Sequence, residues 1–305
     1  MAGLLNHLAL VTESSRVSFE SLSIVSAALQ KQIARDFGPI WGVNATIDAF
    51  PRLEDVPLDY WKVLVMDDIG DDGAAGFHQD DQGQPIAFVT ADDRQDVWSL
   101  TASHECLEML ADPSGNRLVA GDSPMEGQGR VQILVEVADP SEDAEFGYSV
   151  NGVLVSDFYT PNYFDPFASS STQYSFTGAI TGPRQVLKGG YLSWVDPTTN
   201  DWWQETWFGG NKPSFRNIGS LLSGSASFRS QIDAINGKKT KAAISRDRKF
   251  AMAAGQSTKV NELSSVARAT AIHQFIRDRI PSTANVSASQ GKPQARATRR
   301  VTKGD

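Results

Sequence analysis

Cysteine is nearly absent from this 305-residue chain, because Cys106 is the only one. A single cysteine excludes an intrachain disulfide and any zinc site built mainly from thiolates. Long apolar runs are missing too, since no stretch approaches the roughly 18 apolar residues that span a membrane. The first residues, MAGLLNHLALVTESS, have no cationic start, and Asn6 and His7 interrupt their apolar run. We therefore expect neither a signal peptide nor a membrane partner.

Positive charge is scarce through most of the chain and concentrated at its end. Residues 1–235 carry 13 Lys+Arg against 32 Asp+Glu, whereas residues 236–305 carry 15 against 4. The formal net charge of −8 is therefore an average over an acidic body and a basic tail. Within the tail, residues 258–280 have the spacing of an amphipathic helix, and residues 281–305 have the composition of a disordered segment.

Hydrophobic periodicity predicts an α+β protein. Helical spacing of apolar residues covers 17–37, where Gly38-Pro39 should end the helix, and 95–111, where Asp112-Pro113 should end it. Short apolar runs predict strands at 8–13, 43–50, 61–66, 85–91 and 130–138. Asn151-Gly152 predicts the turn of a hairpin, and the Gly- and Asp-rich residues 67–84 predict a solvated loop.

The later part of the acidic body has a different composition. Residues 161–235 are rich in Gly, Ser, Pro and aromatic residues, which predicts irregular β structure and loops. Four tryptophans between Trp194 and Trp207 could bind a carbohydrate or a partner, but core packing is the more frequent role of such a cluster. We divide the chain into residues 1–165, an aromatic extension over 166–235 that packs on them, and the tail 236–305.

One segment of the second predicted helix has the residues of a metal site. In SHECLEMLADP, His104 and Glu108 are four residues apart, so they project from the same helical face. An imidazole and a carboxylate at that spacing can both bind one Zn²⁺, and Glu105 is placed as the general base of a HExxH-type site. Glu108 in place of a second histidine adds negative charge, which would make bound zinc a weaker Lewis acid.

A third ligand is needed for a tetrahedral catalytic zinc site, and the sequence offers several carboxylates. Asp112 lies two turns beyond His104, although ending the helix before Pro113 would also explain it. Glu136 and Asp139 lie on or just after a predicted strand. Glu136 would be costly inside an apolar strand unless it is paired or binds a metal, although a solvated strand face would explain it equally well. Asp157 is a weaker candidate.

These segments resemble a known family. TASHECLEMLADP, followed by VEVADP and YSVNGVLVSDFYTP, resembles zincin-like metallopeptidases of bacteria and phages, whose helix has the pattern S-H-E-x-x-E-x-x-x-D-P. The chain is also distantly similar to plant Exordium (phosphate-induced) proteins. The resemblance covers residues 8–165. It implies a zincin-like mixed sheet, an HExxE helix with His104 and Glu108 as zinc ligands, and Glu105 as base. The plant relatives can have Asn at the position of Asp112, which favours Glu136 or Asp139 as third ligand.

Two functions are therefore expected. The first is a zinc-dependent metallopeptidase that hydrolyses peptide or protein substrates. The alternative is a phage or prophage structural protein on a zincin scaffold, whose tail binds virion proteins or nucleic acid. We expect the protein in the cytoplasm or in a virion. If strand 85–91 is the sheet edge beside the second helix, its backbone could bind an extended peptide and His78 in the preceding loop could reach the rim of the cleft. A solvated loop histidine is the more frequent case.

Overall fold

The computed structural model describes residues 5–70, 74–81, 83–222 and 226–236, and it shows a mixed α+β protein. The tail from residue 237 onward, including the helix predicted at 258–280, lies outside the described residues. No helix in the described ranges is long and apolar enough to cross a membrane.

Five strands of the first half form one sheet. They are β1 (Leu5–Thr12), β2 (Asn44–Phe50), β3 (Trp61–Met66), β4 (Gly76–Asp81) and β5 (Gln84–Thr90), in the order β2-β1-β3-β5-β4. The first four strands in that order run parallel, and β4 runs antiparallel to β5. β4 lies inside the segment predicted as a loop, so the loop prediction was wrong there, because the polar sequence GFHQDD has no strand-like alternation. β4, and not the strand at 85–91, forms this edge of the sheet.

Three helical segments accompany this sheet. α1 (Phe19–Lys31) continues through a π-helical turn at Gln32–Phe37 into α2 (Gly38–Trp41). Gly38-Pro39 therefore does not end the helix, because proline is tolerated in the first turn of α2. Gly42 ends it instead, with a left-handed φ of 68°. α3 (Gln95–Ala111) matches the predicted second helix and packs on β5, β4 and β3.

The remaining strands form a second, antiparallel sheet and a hairpin. β6 (Leu118–Asp122) pairs with β7 (Arg130–Leu134), and the predicted hairpin consists of β8 (Tyr148–Val150) and β9 (Val153–Val155). β10 (Tyr191–Val195), β11 (Trp202–Thr206) and β12 (Ser214–Gly219) complete the second sheet in the order β12-β11-β10-β7-β6. Residues 161–235 are thus more regular than predicted. Trp194 and Trp202 are buried, as core packing requires. The last described helix is α4 (Phe228–Asn236).

Candidate metal centre

α3 presents His104 and Glu108 on one face, as the four-residue spacing predicts. His104 Nε2 lies 3.2 Å from Glu108 Oε2, and Glu108 is fully buried. The neighbouring Ser103 fixes this part of the helix, because its hydroxyl donates to Gln32 Oε1 at 2.7 Å and accepts from the Ser156 N–H at 2.9 Å. The first two candidate ligands are therefore held on a buried, hydrogen-bonded helix.

Asp139 reaches the same site from the turn at Asp139–Ser141 that follows β7. Its Oδ1 lies 3.1 Å from His104 Nε2, while Glu108 Oε1 accepts from the backbone N–H groups of Ala138 at 3.2 Å and Asp139 at 3.3 Å. Gly190 allows this turn to pack closely, since a Cβ there would come within 2.5 Å of the Asp139 carbonyl oxygen. The backbone of this turn is thus hydrogen-bonded to the Glu108 side chain on α3.

His104, Glu108 and Asp139 form a buried group that could hold a metal ion, with ligand atoms within 4.8 Å of one another. Two ligands on a tetrahedral zinc ion, at bond lengths of about 2.0–2.1 Å, lie about 3.3–3.4 Å apart. The observed 3.1 and 3.2 Å from His104 Nε2 fit that spacing. Both oxygens of Asp139 are buried, and neither accepts a well-aligned hydrogen bond from any described residue. The donor set therefore suits a divalent cation.

Glu136 lies beside this group, but Arg229 on α4 engages its carboxylate. Arg229 Nη1 contacts both Glu136 Oε2 and Glu108 Oε2, and it lies 3.7 Å from Asp139 Oδ2. Its Nε donates to Asp233 Oδ2 at 2.9 Å. The sequence interpretation missed Arg229, which is 121 residues from Glu108. The Arg229–Asp233 spacing was the only available signal, and such pairs are common on solvated helices.

His78 is fully buried on β4, so the prediction of a solvated loop histidine was wrong. Its Nε2–H donates to the Asp112 carbonyl at 3.2 Å, and its Nδ1 lies 3.4 Å from Glu105 Oε2 and 3.9 Å from Glu108 Oε2. β4 can approach α3 this closely because it begins at Gly76, where a Cβ would come within 3.0 Å of Glu105 Cγ. Glu105, the predicted base, is therefore positioned by the edge strand. His78, Glu105 and Glu108 form a second group that could hold a metal.

The other candidates have separate partners. The Asp112 carboxylate turns to the end of α3, where it accepts from the Arg117 N–H at 2.6 Å and the Ser114 hydroxyl at 3.3 Å. Asp157 Oδ1 accepts from the Thr177 N–H at 2.9 Å. Cys106 is buried, and burial raises the pKa of its thiol. The convergence thus favours Asp139 among the carboxylates that the sequence offered as third ligand.

Burial and the charges of neighbouring groups shift the pKa values of the ionisable side chains in the site. Burial opposes the imidazolium, but the nearby carboxylates of Glu108 and Asp139 outweigh it and hold the pKa of His104 well above its ordinary value. Burial likewise opposes ionisation of Glu108, yet the charges of Arg229 and His104 hold its pKa well below the usual range. Burial and the neighbouring carboxylates raise the pKa of both Glu136 and Asp139. Such divergent shifts in one cluster are typical of functional sites.

The comparisons with known proteins add no relative, because the chain matches no protein-family model, no curated protein and no solved structure.

Proposed function

We propose that the protein is a zinc-dependent hydrolase of the metallopeptidase type on a zincin-like scaffold. The observation that carries this proposal is the convergence of His104 Nε2, Glu108 Oε2 and Asp139 Oδ1 beside Glu105, on a helix that packs under a mixed sheet. A mixed sheet with an HExxE helix is the arrangement that the sequence resemblance implies.

The residues divide into ligands and a base. His104, Glu108 and Asp139 would hold the ion, and zinc would supply Lewis acidity and a nucleophilic water near neutral pH. Glu105 follows His104 directly on the helix and would accept a proton from the attacking water. His78 orients Glu105 through its Nδ1, and its other ring nitrogen is tied to the Asp112 carbonyl. The proton acceptor is thus held in one orientation by a fixed imidazole.

β4 is the part of the fold best suited to an extended peptide substrate. Among the described strands it pairs only with β5, and it lies against the helix that carries the site. A peptide could add to such an edge through main-chain hydrogen bonds. This position supports a peptide or protein as the substrate class.

The metal proposal is tested by metal analysis of protein purified without chelators. We expect one zinc per chain in the wild type, and loss of zinc in His104→Ala and Asp139→Ala. Two matched controls should retain zinc: His7→Ala, whose ring bonds Thr46 on the first sheet, and Asp112→Asn at the end of α3. A wild type without stoichiometric zinc, both as purified and after incubation with zinc, would refute the proposed centre.

The catalytic proposal is tested separately with a mixture of peptides and mass-spectrometric detection of cleavage. Glu105→Gln should keep its zinc and lose cleavage by at least 10²-fold, the lower range of a general-base contribution. Cleavage that survives in Glu105→Gln would refute the assigned role of this residue. It would leave the metal site untouched.

A second function is proposed for residues 236–305 because of their excess of Lys and Arg. We propose that this segment binds nucleic acid or an acidic virion protein, with or without catalysis in the body of the protein. The full chain should bind DNA with an affinity that falls steeply with salt. Truncation after Asn236 should abolish this binding, and binding that persists after truncation would contradict the proposal.

A further inference from the structure

Neither the motif nor the proposed chemistry requires the buried Arg229. We infer that Arg229 is a built-in cation that competes with the metal ion for the carboxylates, and that metal binding is thereby coupled to the docking of α4. The inference rests on the proposed metal centre, since it concerns how that centre is loaded.

Backbone contacts direct Arg229 into the centre. The Arg229 N–H donates to the Gly115 carbonyl at 3.0 Å, and the Phe228 N–H donates to Asn116 Oδ1 at 2.9 Å. A Cβ at Gly115 would come within 3.0 Å of Arg229 Cβ, and Gly115 has a left-handed φ of 63°. The turn that ends α3 thus anchors the first turn of α4. The helix that carries two of the three candidate ligands is thus followed directly by the turn that supports Arg229.

The Arg229 guanidinium contacts a carboxylate oxygen that the candidate metal would also bind. Glu108 Oε2 is the oxygen that lies 3.2 Å from His104 Nε2, and the same oxygen contacts Arg229 Nη1. Arg229 is 3% exposed, and three further carboxyl groups, those of Glu136, Asp139 and Asp233, surround its guanidinium. Arg229 is therefore a permanent positive charge inside the carboxylate cluster that a divalent cation would enter.

Docking of α4 does not by itself require this arginine. Phe228 packs against Trp202 with ring centroids 4.7 Å apart, and Ile232 is buried with Leu134 and Val195. These contacts would hold the helix if an apolar residue replaced Arg229, whereas the arginine adds a charge whose nearest partners include a candidate ligand. Because like charges repel strongly where water is excluded, Arg229 must weaken the binding of a cation to the same carboxylates.

The test is zinc affinity, measured on the full chain by competition with a chromogenic chelator. Arg229→Met should bind zinc at least tenfold more tightly than the wild type. Arg229→Lys, which keeps the charge, should stay within about threefold. The matched control is Arg216→Met, which removes an arginine that bonds Gln204 and Asn236 near the end of α4 but leaves the cluster intact. It should also stay within about threefold.

The outcomes separate this inference from the proposed centre. If the wild type binds zinc and Arg229→Met binds it equally or more weakly, the inference fails and the centre stands. If neither binds zinc, both fail. If only Arg229→Met binds zinc, the inference holds and the proposal that the wild-type chain has a zinc centre fails.

Hydrogen exchange on the wild type decides the matter if Arg229→Met does not fold. Zinc should accelerate amide exchange across α4 severalfold, because the ion takes over the carboxylates that hold Arg229. Unchanged or slower exchange in α4 at saturating zinc would overturn the inference.

Discussion

Replacing Glu108 by glutamine tests whether the buried charges of the centre also hold the metal-free protein together. The amide can still accept from the N–H groups of Ala138 and Asp139 through Oε1, so these two hydrogen bonds survive. What is lost is the charge on Oε2, which pairs with Arg229 and His104. The substitution therefore removes two buried ion-pair contacts and little packing.

The expected magnitude follows from that account. Breaking a buried ion pair by removing one partner costs about 3–5 kcal/mol, because the other charge stays buried and uncompensated. Arg229 keeps Glu136 and Asp233 as partners, which places the loss near the lower limit. We expect Glu108→Gln to lower the free energy of unfolding by about 3 kcal/mol.

The assay is urea denaturation followed by tryptophan fluorescence, with a chelator present so that metal binding does not contribute. Glu145→Gln is the matched control, because Glu145 is exposed, and it should change the free energy by less than about 0.5 kcal/mol. A double-mutant cycle with Arg229→Met should give a coupling energy of at least about 1 kcal/mol. A loss below about 1 kcal/mol in Glu108→Gln, with no coupling, would refute the idea that these ion pairs stabilise the fold.

Of three further predictions, two concern the scaffold of the site and one concerns the second sheet. Gly76→Ala should destabilise the protein by about 1–3 kcal/mol, because its Cβ would lie 2.6 Å from Thr101 Cγ2 and 2.8 Å from the Phe88 carbonyl oxygen, whereas Gly182→Ala meets no atom within 4 Å and should be nearly neutral in denaturation. Ser103→Ala should cost about 1–3 kcal/mol in the same measurement, since it leaves a buried N–H and a buried amide without their partner. Glu205 gives a pH dependence: burial raises the pKa of its carboxyl group to about 7, so the folded state binds this proton more tightly than the unfolded state. The contribution of this group to the free energy of unfolding is greatest below about pH 4.5. It decreases by at most about 3 kcal/mol as the pH rises to about 7. The difference in unfolding free energy between wild type and Glu205→Gln should follow that curve, and a pH-independent difference would contradict it.

The sequence predicted the elements whose periodicity is strong. The four predicted strands of the first sheet and the helix at 95–111 are present, because apolar side chains on one element are enough to define its buried face. The four-residue spacing of His104 and Glu108 likewise determined that they would share a face. These are local properties of the chain, and periodicity or spacing reveals them directly.

The parts that could not be predicted depend on distant partners. β4 is polar in sequence, and the burial of His78 there depends on contacts with the Asp112 carbonyl and the Glu105 carboxylate. Asp139 could not be separated from Glu136, because the choice depends on which carboxylate faces His104 and which faces Arg229. Long-range pairing of polar groups has no periodic signature. The sequence could therefore predict the helix that carries the site but not which distant side chains complete it.

Arg229 also bears on the difference between HExxE and HExxH. A glutamate in place of the second histidine adds one negative charge to the ligand set, which should reduce the Lewis acidity of bound zinc. Here a guanidinium contacts the same carboxylate oxygen, so the added charge is offset where it arises. If a bound ion takes Glu108 over from Arg229, as we infer, this offset is lost when the ion binds, and the proposed zinc would keep the extra negative charge of the glutamate. Under the proposed competition, one buried arginine would lower the affinity for zinc without raising the Lewis acidity of the bound ion.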